Sequence, residues 1–200
     1  HYYDLWHLFA GMRDAPRHTA LVVVDDETLA ALKDDPLAFW APHFGKALEA
    51  IDRAGAKVVG LDFLYQVSAE SWLRKMDLPD SETSRNYDRP LRAALAAGNK
   101  ILIVHLVQPK SGEPLLLLPP PDQLYLLPRG VSDLGVANLP ADEDKYVRHF
   151  FPFLDPDPVR PGVGFGMQLA LRAAGKDPLA TAWEIAGRKW SREAHPVPVR

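Results

Sequence analysis

Short, unbroken apolar runs separated by amphipathic stretches leave this chain few ways to fold. Leu21-Val22-Val23-Val24, Val58-Val59-Gly60-Leu61 and residues 101–107 lack the polar–apolar alternation of a strand with one wet face. Runs rich in β-branched residues and bounded by turn signals mark strands covered on both sides. Between the second and third runs, residues 90–97 read as a helix that Gly98 stops. Between the first and second, Phe44, Ala47, Leu48, Ile51 and Ala54 recur at helical spacing, so residues 42–54 form a helix ended by Gly55. A shorter helix over 27–32 follows Asp25-Asp26, either of which could cap it. Strand, helix, strand with a short return loop is a βαβ unit, whose strands are parallel with a right-handed crossover. The pattern predicts an α/β protein: a single domain with a mixed, mostly parallel sheet flanked by helices.

The rest of the chain fits that frame. Residues 68–89 are polar and irregular around a short helical piece at 72–76. Residues 115–118 pair as a fourth strand with the third through a turn at 109–114. Strands at 134–138 and 147–153 are joined by an acidic turn at 140–145. A proline-rich loop at 156–161 leads into a helix over 163–174, stopped by Gly175, and the tail holds two short edge strands, 183–186 and 197–199. The aromatic segment 2–12 reads as a lead-in helix within residues 1–19, ahead of an α/β body over 20–200.

Composition excludes several chemistries. A net charge of -3, with 23 Lys and Arg scattered among 26 Asp and Glu, gives no basic face for nucleic acid. There is no cysteine, which removes disulfides, thiolate catalysis and zinc-thiolate sites. The seven histidines (1, 7, 18, 43, 105, 149 and 195) are dispersed without metal-binding spacing. His105, inside an apolar strand, reads as a core histidine. No Gly-x-Ser-x-Gly elbow or phosphate-binding Walker loop occurs. Gly162-x-Gly164-x-Gly166 opens a helix, but a proline loop precedes it where a dinucleotide fingerprint needs a strand, so close helix packing is the better account. No apolar run is as long as the roughly 18–20 residues of a membrane span. The chain opens at His1 without a signal-peptide pattern and reads as a piece of a longer protein, with any membrane anchor outside it.

Chemical content begins where strands end, because ligands of such sheets bind beyond the carboxyl ends of the strands. Asp25, Asp26 and Asp62 lie there. Three carboxylates could hold a hard cation such as Mg²⁺; alternatively one caps a helix and another bonds loop amides. The first two runs also look like the opening and phosphoacceptor strands of a response-regulator receiver, with Asp62 as acceptor and Lys110 as charge sensor. Spacing opposes that reading: Asp26 and Asp62 are 36 residues apart, with no second strand between them, and Gln66 stands where receivers usually have proline.

Taken in order, the later words resemble the type-two CHASE domain, a cyclase- and histidine-kinase-associated extracellular sensory module. They are "DETLAAL" (26–32), "AGAKVVGLDFLY" (54–65), "DRPLRAALAAGNKILIV" (88–104), "LGVANLPADEDKYVRHFFPF" (134–153) and "FGMQLALRAAG" (165–175). One departure stands out. The family usually has Asp-Gly in the acidic turn, but Lys145 follows Asp144 here, so that turn takes another conformation or Lys145 carries a positive φ. Any loop function carried over to Asp142 and Asp144 falls with it.

The resemblance implies an extracytoplasmic domain anchored to the cell membrane, non-catalytic and without a cofactor. It implies a domain that senses a small-molecule or ionic signal and passes a conformational change through flanking membrane helices to a cytoplasmic cyclase, kinase or similar output. Such receptors usually work as homodimers; a purely structural dimerisation domain is the bland alternative. The pocket expected from the residues is Asp25, Asp26 and Asp62 at strand ends with Asn138 and Arg148 from the paired later strands. Arg148 offers a two-pronged grip on a carboxylate or phosphate, or else a salt bridge with one of those acids.

Overall fold

A computed structural model describes residues 17–64, 72–73, 75–76, 86–107, 109, 111–113, 115–153, 162–192 and 197–198. The lead-in segment 2–12, Lys110 and the loop at 156–160 lie outside the described residues. The chain divides between Pro36 and Leu37 into two units, each described by itself.

In the first unit, helix α1 (Asp26–Ala31) starts where the sequence places it. Asp25 is its N-cap, accepting the Thr28 backbone N–H at 2.9 Å and the Thr28 hydroxyl at 2.7 Å. Leu21-Val22-Val23-Val24, expected as a strand covered on both faces, is not a strand here. Exposure runs from 88% at Leu21 to 51% at Val24. Strand-forming residues need a neighbouring edge to take up their N–H and C=O groups, and the described residues of this unit include no strand.

The second unit contains the sheet. After a 3₁₀ turn at Leu37–Phe39, helix α2 (Ala41–Arg53) has proline in its first turn, where the ring costs no hydrogen bond. Strand β1 (Val59–Leu61), helix α3 (Arg89–Ala96) and strand β2 (Lys100–Val107) follow. β1 and β2 are parallel, Val59 opposite Lys100, so the βαβ unit is β1–α3–β2. The unit expected from residues 21–24 to 58–61 is replaced by this one. Strand β3 (Leu115–Leu117) turns back antiparallel to the end of β2, as its turn signal predicts. The short helix α4 (Pro121–Leu124) and a 3₁₀ turn (Gly130–Asp133) lead to strand β4 (Leu134–Val136), parallel to β2 on its other edge. The sheet is thus mixed and mostly parallel, with β2 at its centre.

Side chains on alternate residues divide between the two faces. Leu61, Leu102, Val104, Leu134 and Val136 form one buried cluster with Ala41 and Leu48 of α2 and with Leu91, Ala94 and Leu95 of α3. Helix α5 (Phe165–Ala173) lies on the opposite face. It approaches so closely that a Cβ on Gly135 would sit 2.8 Å from the Phe165 Cα. The α2–α3 crossing is equally tight, since a Cβ on Gly45 would lie 2.7 Å from the Leu91 backbone nitrogen. Gly55, Gly98 and Gly175 end their helices with φ of +85°, +85° and +65°, as expected.

Strand β5 (His149–Phe150) does not pair with β4, against expectation. One edge of β4 is taken by β2, and the Val136 N–H on the other donates to the Val163 carbonyl at 2.9 Å. Strand β6 (Ala182–Ile185) pairs with strand β7 (Arg188–Ser191), which its polar, charged sequence conceals. Ala186 and Gly187, at φ +50° and +74°, form the two-residue turn that joins them. Strand β8 (Val197–Pro198), expected in the tail, is the partner of β5. Phe153 and Trp183 stack at 5.0 Å in a second buried cluster with Val163, Met167 and Leu171.

Gly135→Ala tests the packing of α5, because its Cβ meets backbone and no flexible side chain can yield. The variant should lose about 1–3 kcal/mol, the range for overpacking, as a lowered urea midpoint with unchanged slope; wild-type stability would show that α5 does not sit this close.

Candidate functional site

The carboxyl end of the parallel sheet is where β1, β2 and β4 finish. β1 leads directly into Asp62 and Phe63, both exposed, with Phe63 36% exposed. The Phe63 ring stacks on Phe44 of α2, centroids 4.5 Å apart and planes 23° from parallel. Behind it lies a cleft lined by Leu61 and Phe63 from the end of β1, Leu91 and Leu95 from α3, Leu102 from β2, and Pro119 and Gln123 around the start of α4. Sequence reasoning passes over it, since leucines at core spacing read only as core. The signals that could have found it are the aromatic beside the strand-end acid and Gln123 in an otherwise apolar setting.

The structure gives Asn138 a backbone role. Its Nδ2 donates to the Leu106 carbonyl and its Oδ1 accepts the Leu106 N–H, both at 2.7 Å. A side-chain amide thus imitates a strand residue and prolongs the β4–β2 ladder beyond Val136.

Arg148 is clamped. Its guanidinium bonds Asp144 with Nη1 at 2.7 Å and Nη2 at 2.8 Å, and Nη1 reaches Asp142 at 2.8 Å. The Tyr146 ring centroid lies 5.3 Å from the guanidinium carbon. The salt-bridge alternative is therefore realised, with acids of the same loop in place of Asp25, Asp26 or Asp62. The Lys145 N–H donates to the Asp142 carbonyl at 2.8 Å, and Lys145 has φ +66°, so of the two expected outcomes the turn takes the left-handed one. The Arg148 hydrogen bonds, foremost, hold the Asp144 carboxyl down at about 2.

Because that pKa lies below its unfolded value of 3.8, the clamp is complete above pH 4 and lost as pH falls through about 2. An NMR titration should find the Asp144 midpoint near 2; a midpoint near 4 would mean that Arg148 is elsewhere.

The opposite end of the sheet is held by buried charge. Lys100, the first residue of β2, is 0% exposed, and its Nζ bonds both Asp52 oxygens at 2.9 and 2.8 Å as well as Asn99 Oδ1. Burial pushes the Asp52 carboxyl up, but hydrogen bonds from Lys100 and Asn99, with the lysine charge, outweigh it and leave it below its ordinary value. Asp133 is likewise 0% exposed, bonded by Arg172 at 2.6 Å and by the Arg129 backbone N–H at 3.1 Å. Its burial raises the carboxyl pKa, against the Arg129 N–H and guanidinium. Arg129 also donates to the Gly98 carbonyl, so this network ties β4 to both α5 and the end of α3. Among the described residues, no group of three or more His, Asp or Glu is placed to hold a metal ion.

Breaking the pair from one side strands a buried ammonium. Asp52→Ala should therefore cost about 3–5 kcal/mol in urea denaturation, and Lys100→Met less, because it removes the charge itself. The reverse order would show that Lys100 reaches water.

Parallel strands covered by helices, with ion pairs fixing their amino ends and an uncharged cleft beside the end of β1, define a mixed α/β domain. The chain belongs to the CHASE2 domain family, which matches residues 1–199. CHASE2 domains are sensory extracellular domains of signalling receptors. No curated protein and no solved structure matches the chain.

Proposed function

We propose that this chain is the extracytoplasmic signal-input domain of a membrane-anchored bacterial receptor and is itself non-catalytic. It works as a homodimer and controls a cytoplasmic cyclase, kinase or similar output. Family membership over residues 1–199 carries this reading. The local chemistry is compatible with it: Asp25 is absorbed in capping α1, and the cleft beside the end of β1 has no charged lining residue. A signal changes the output only by binding one arrangement of the domain more tightly than another. Among the described residues no helix is long and apolar enough to cross a membrane.

Location is tested in the full-length receptor in intact cells. Tyr125 is 88% exposed and the domain has no cysteine, so Tyr125→Cys introduces a single accessible thiol. With cysteines elsewhere in the receptor replaced, a membrane-impermeant maleimide should label the variant in intact cells once any outer envelope is permeabilised. Labelling only after the cytoplasmic membrane is lysed would overturn the proposal.

A further inference from the structure

Strand β3 has one edge on β2, and among the described residues no strand takes the other. Which groups face that open edge follows from the ladder. The N–H and C=O of Leu106 are both bonded to Asn138, on the β4 side of β2. Leu106 and Leu116, which lie opposite each other, are therefore a pair that exchanges no backbone bonds. The alternation of an antiparallel ladder then turns Leu115 and Leu117 toward β2, and the N–H and C=O of Leu116 away from it. Of the three residues of β3, Leu116 alone offers a donor and an acceptor to a further strand.

The side chains suit an apolar neighbour. Leu115 is 57% exposed, Leu117 is half-buried, and Leu116 packs against the cluster beneath α2 and α3. None of the three is charged or proline, residue types with which natural proteins blunt an edge. The strand that fits is uncharged and leucine-like, with one outward donor and one outward acceptor at its centre. β3 of a second copy meets that description, and association about a twofold axis demands such self-complementarity.

We infer that two copies of this chain associate through β3, edge to edge and antiparallel, into one sheet that runs across a twofold axis. Leu116 fixes the register, because the one outward-facing residue must oppose itself. Each Leu116 N–H donates to the Leu116 carbonyl of the other copy, and each Leu115 lies across from Leu117 of the other copy. The edge and its side chains are used as they stand, without rearrangement. Two hydrogen bonds and a few leucine contacts cover less than the roughly 1,200 Å² of a stable complex, so the isolated domains pair weakly. Anchoring two chains in one membrane raises their effective concentration and makes the same contact sufficient. The inference deepens the homodimer reading above and rests on that part alone, not on sensing or location.

Sedimentation of the purified chain at concentrations up to about 1 mM tests it. The weight-average mass should climb from 22.2 kDa toward twice that, with a Kd of about 0.1–1 mM. Leu115→Lys alters an exposed side chain whose backbone bonds stay with β2, and should weaken the dimer about ten-fold by setting an ammonium against leucine. Leu117→Glu should do the same, and two-dimensional NMR verifies that each variant is folded. An equimolar mixture of the two should regain association, because the introduced charges then face each other. The chain has no cysteine, so Leu116→Cys supplies a single thiol at the axis. Facing residues there lie about 5.5 Å apart at Cα, within disulfide reach, and mild oxidation should link the copies. Tyr125→Cys, exposed and outside the sheet, is the control. A wild-type chain that stays monomeric at about 1 mM overturns the interface and the homodimer reading of this domain together. A dimer that survives both charged variants is built on another surface and overturns the interface alone. So does cross-linking at position 116 no faster than at position 125, or a mixture that stays monomeric.

Discussion

Strand β2 is the constraint on which the rest of the sheet depends. It lends one edge to β1 and the other to β4, and its far end to β3. Five consecutive residues, from Lys100 to Val104, are buried. A parallel strand enclosed in this way is stable only if helices cover both faces, and α2 with α3 on one side and α5 on the other do so. The strand also begins with a lysine that has no access to water. Its ammonium is tolerable there because Asp52 and Asn99 surround it, and the resulting bonds fasten α2 to the first residue of β2.

The two ends of the sheet consequently differ in physical character. At the amino end, buried ion pairs and charge-assisted hydrogen bonds link β2, β4 and three helices; losing one partner leaves a desolvated charge, so these elements resist relative movement. At the carboxyl end, the ladder is prolonged by the neutral Asn138 amide, and the cleft behind Phe63 is bounded by van der Waals contacts. Dispersion contacts are individually small and non-directional.

Much of the fold was legible because local chemistry spoke for it. Gly55, Gly98 and Gly175 stopped their helices as positive-φ glycines do, and the β2–β3 turn followed its proline and glycine signals. Of the two outcomes expected for a turn without glycine after Asp144, the left-handed Lys145 is the one adopted. What was misread depended on partners distant in the chain. Arg188–Ser191 carries too much charge to resemble a strand and becomes one because β6 and a two-residue turn hold it. Lys100 stood at the head of an apolar strand without a hint that Asp52, 48 residues earlier, would meet it. Asn138 and Arg148 look like ligand-binding groups in isolation, and only the fold reveals that a backbone edge and an acidic loop claim them.

The sequence by itself therefore determined most of the helices and strands, the mixed and mostly parallel class of the sheet and the family word order, since each follows from periodicity, capping and turn residues over short distances. Tertiary structure alone decided which strands share an edge, which charges are buried together and where an uncharged cleft remains. Those outcomes depend on competition for a limited set of hydrogen-bonding edges and for the space beneath the helices. Leu21 to Val24 show the difference most plainly: four residues with every local qualification for a strand that form none, since a strand also needs a partner edge to pair with.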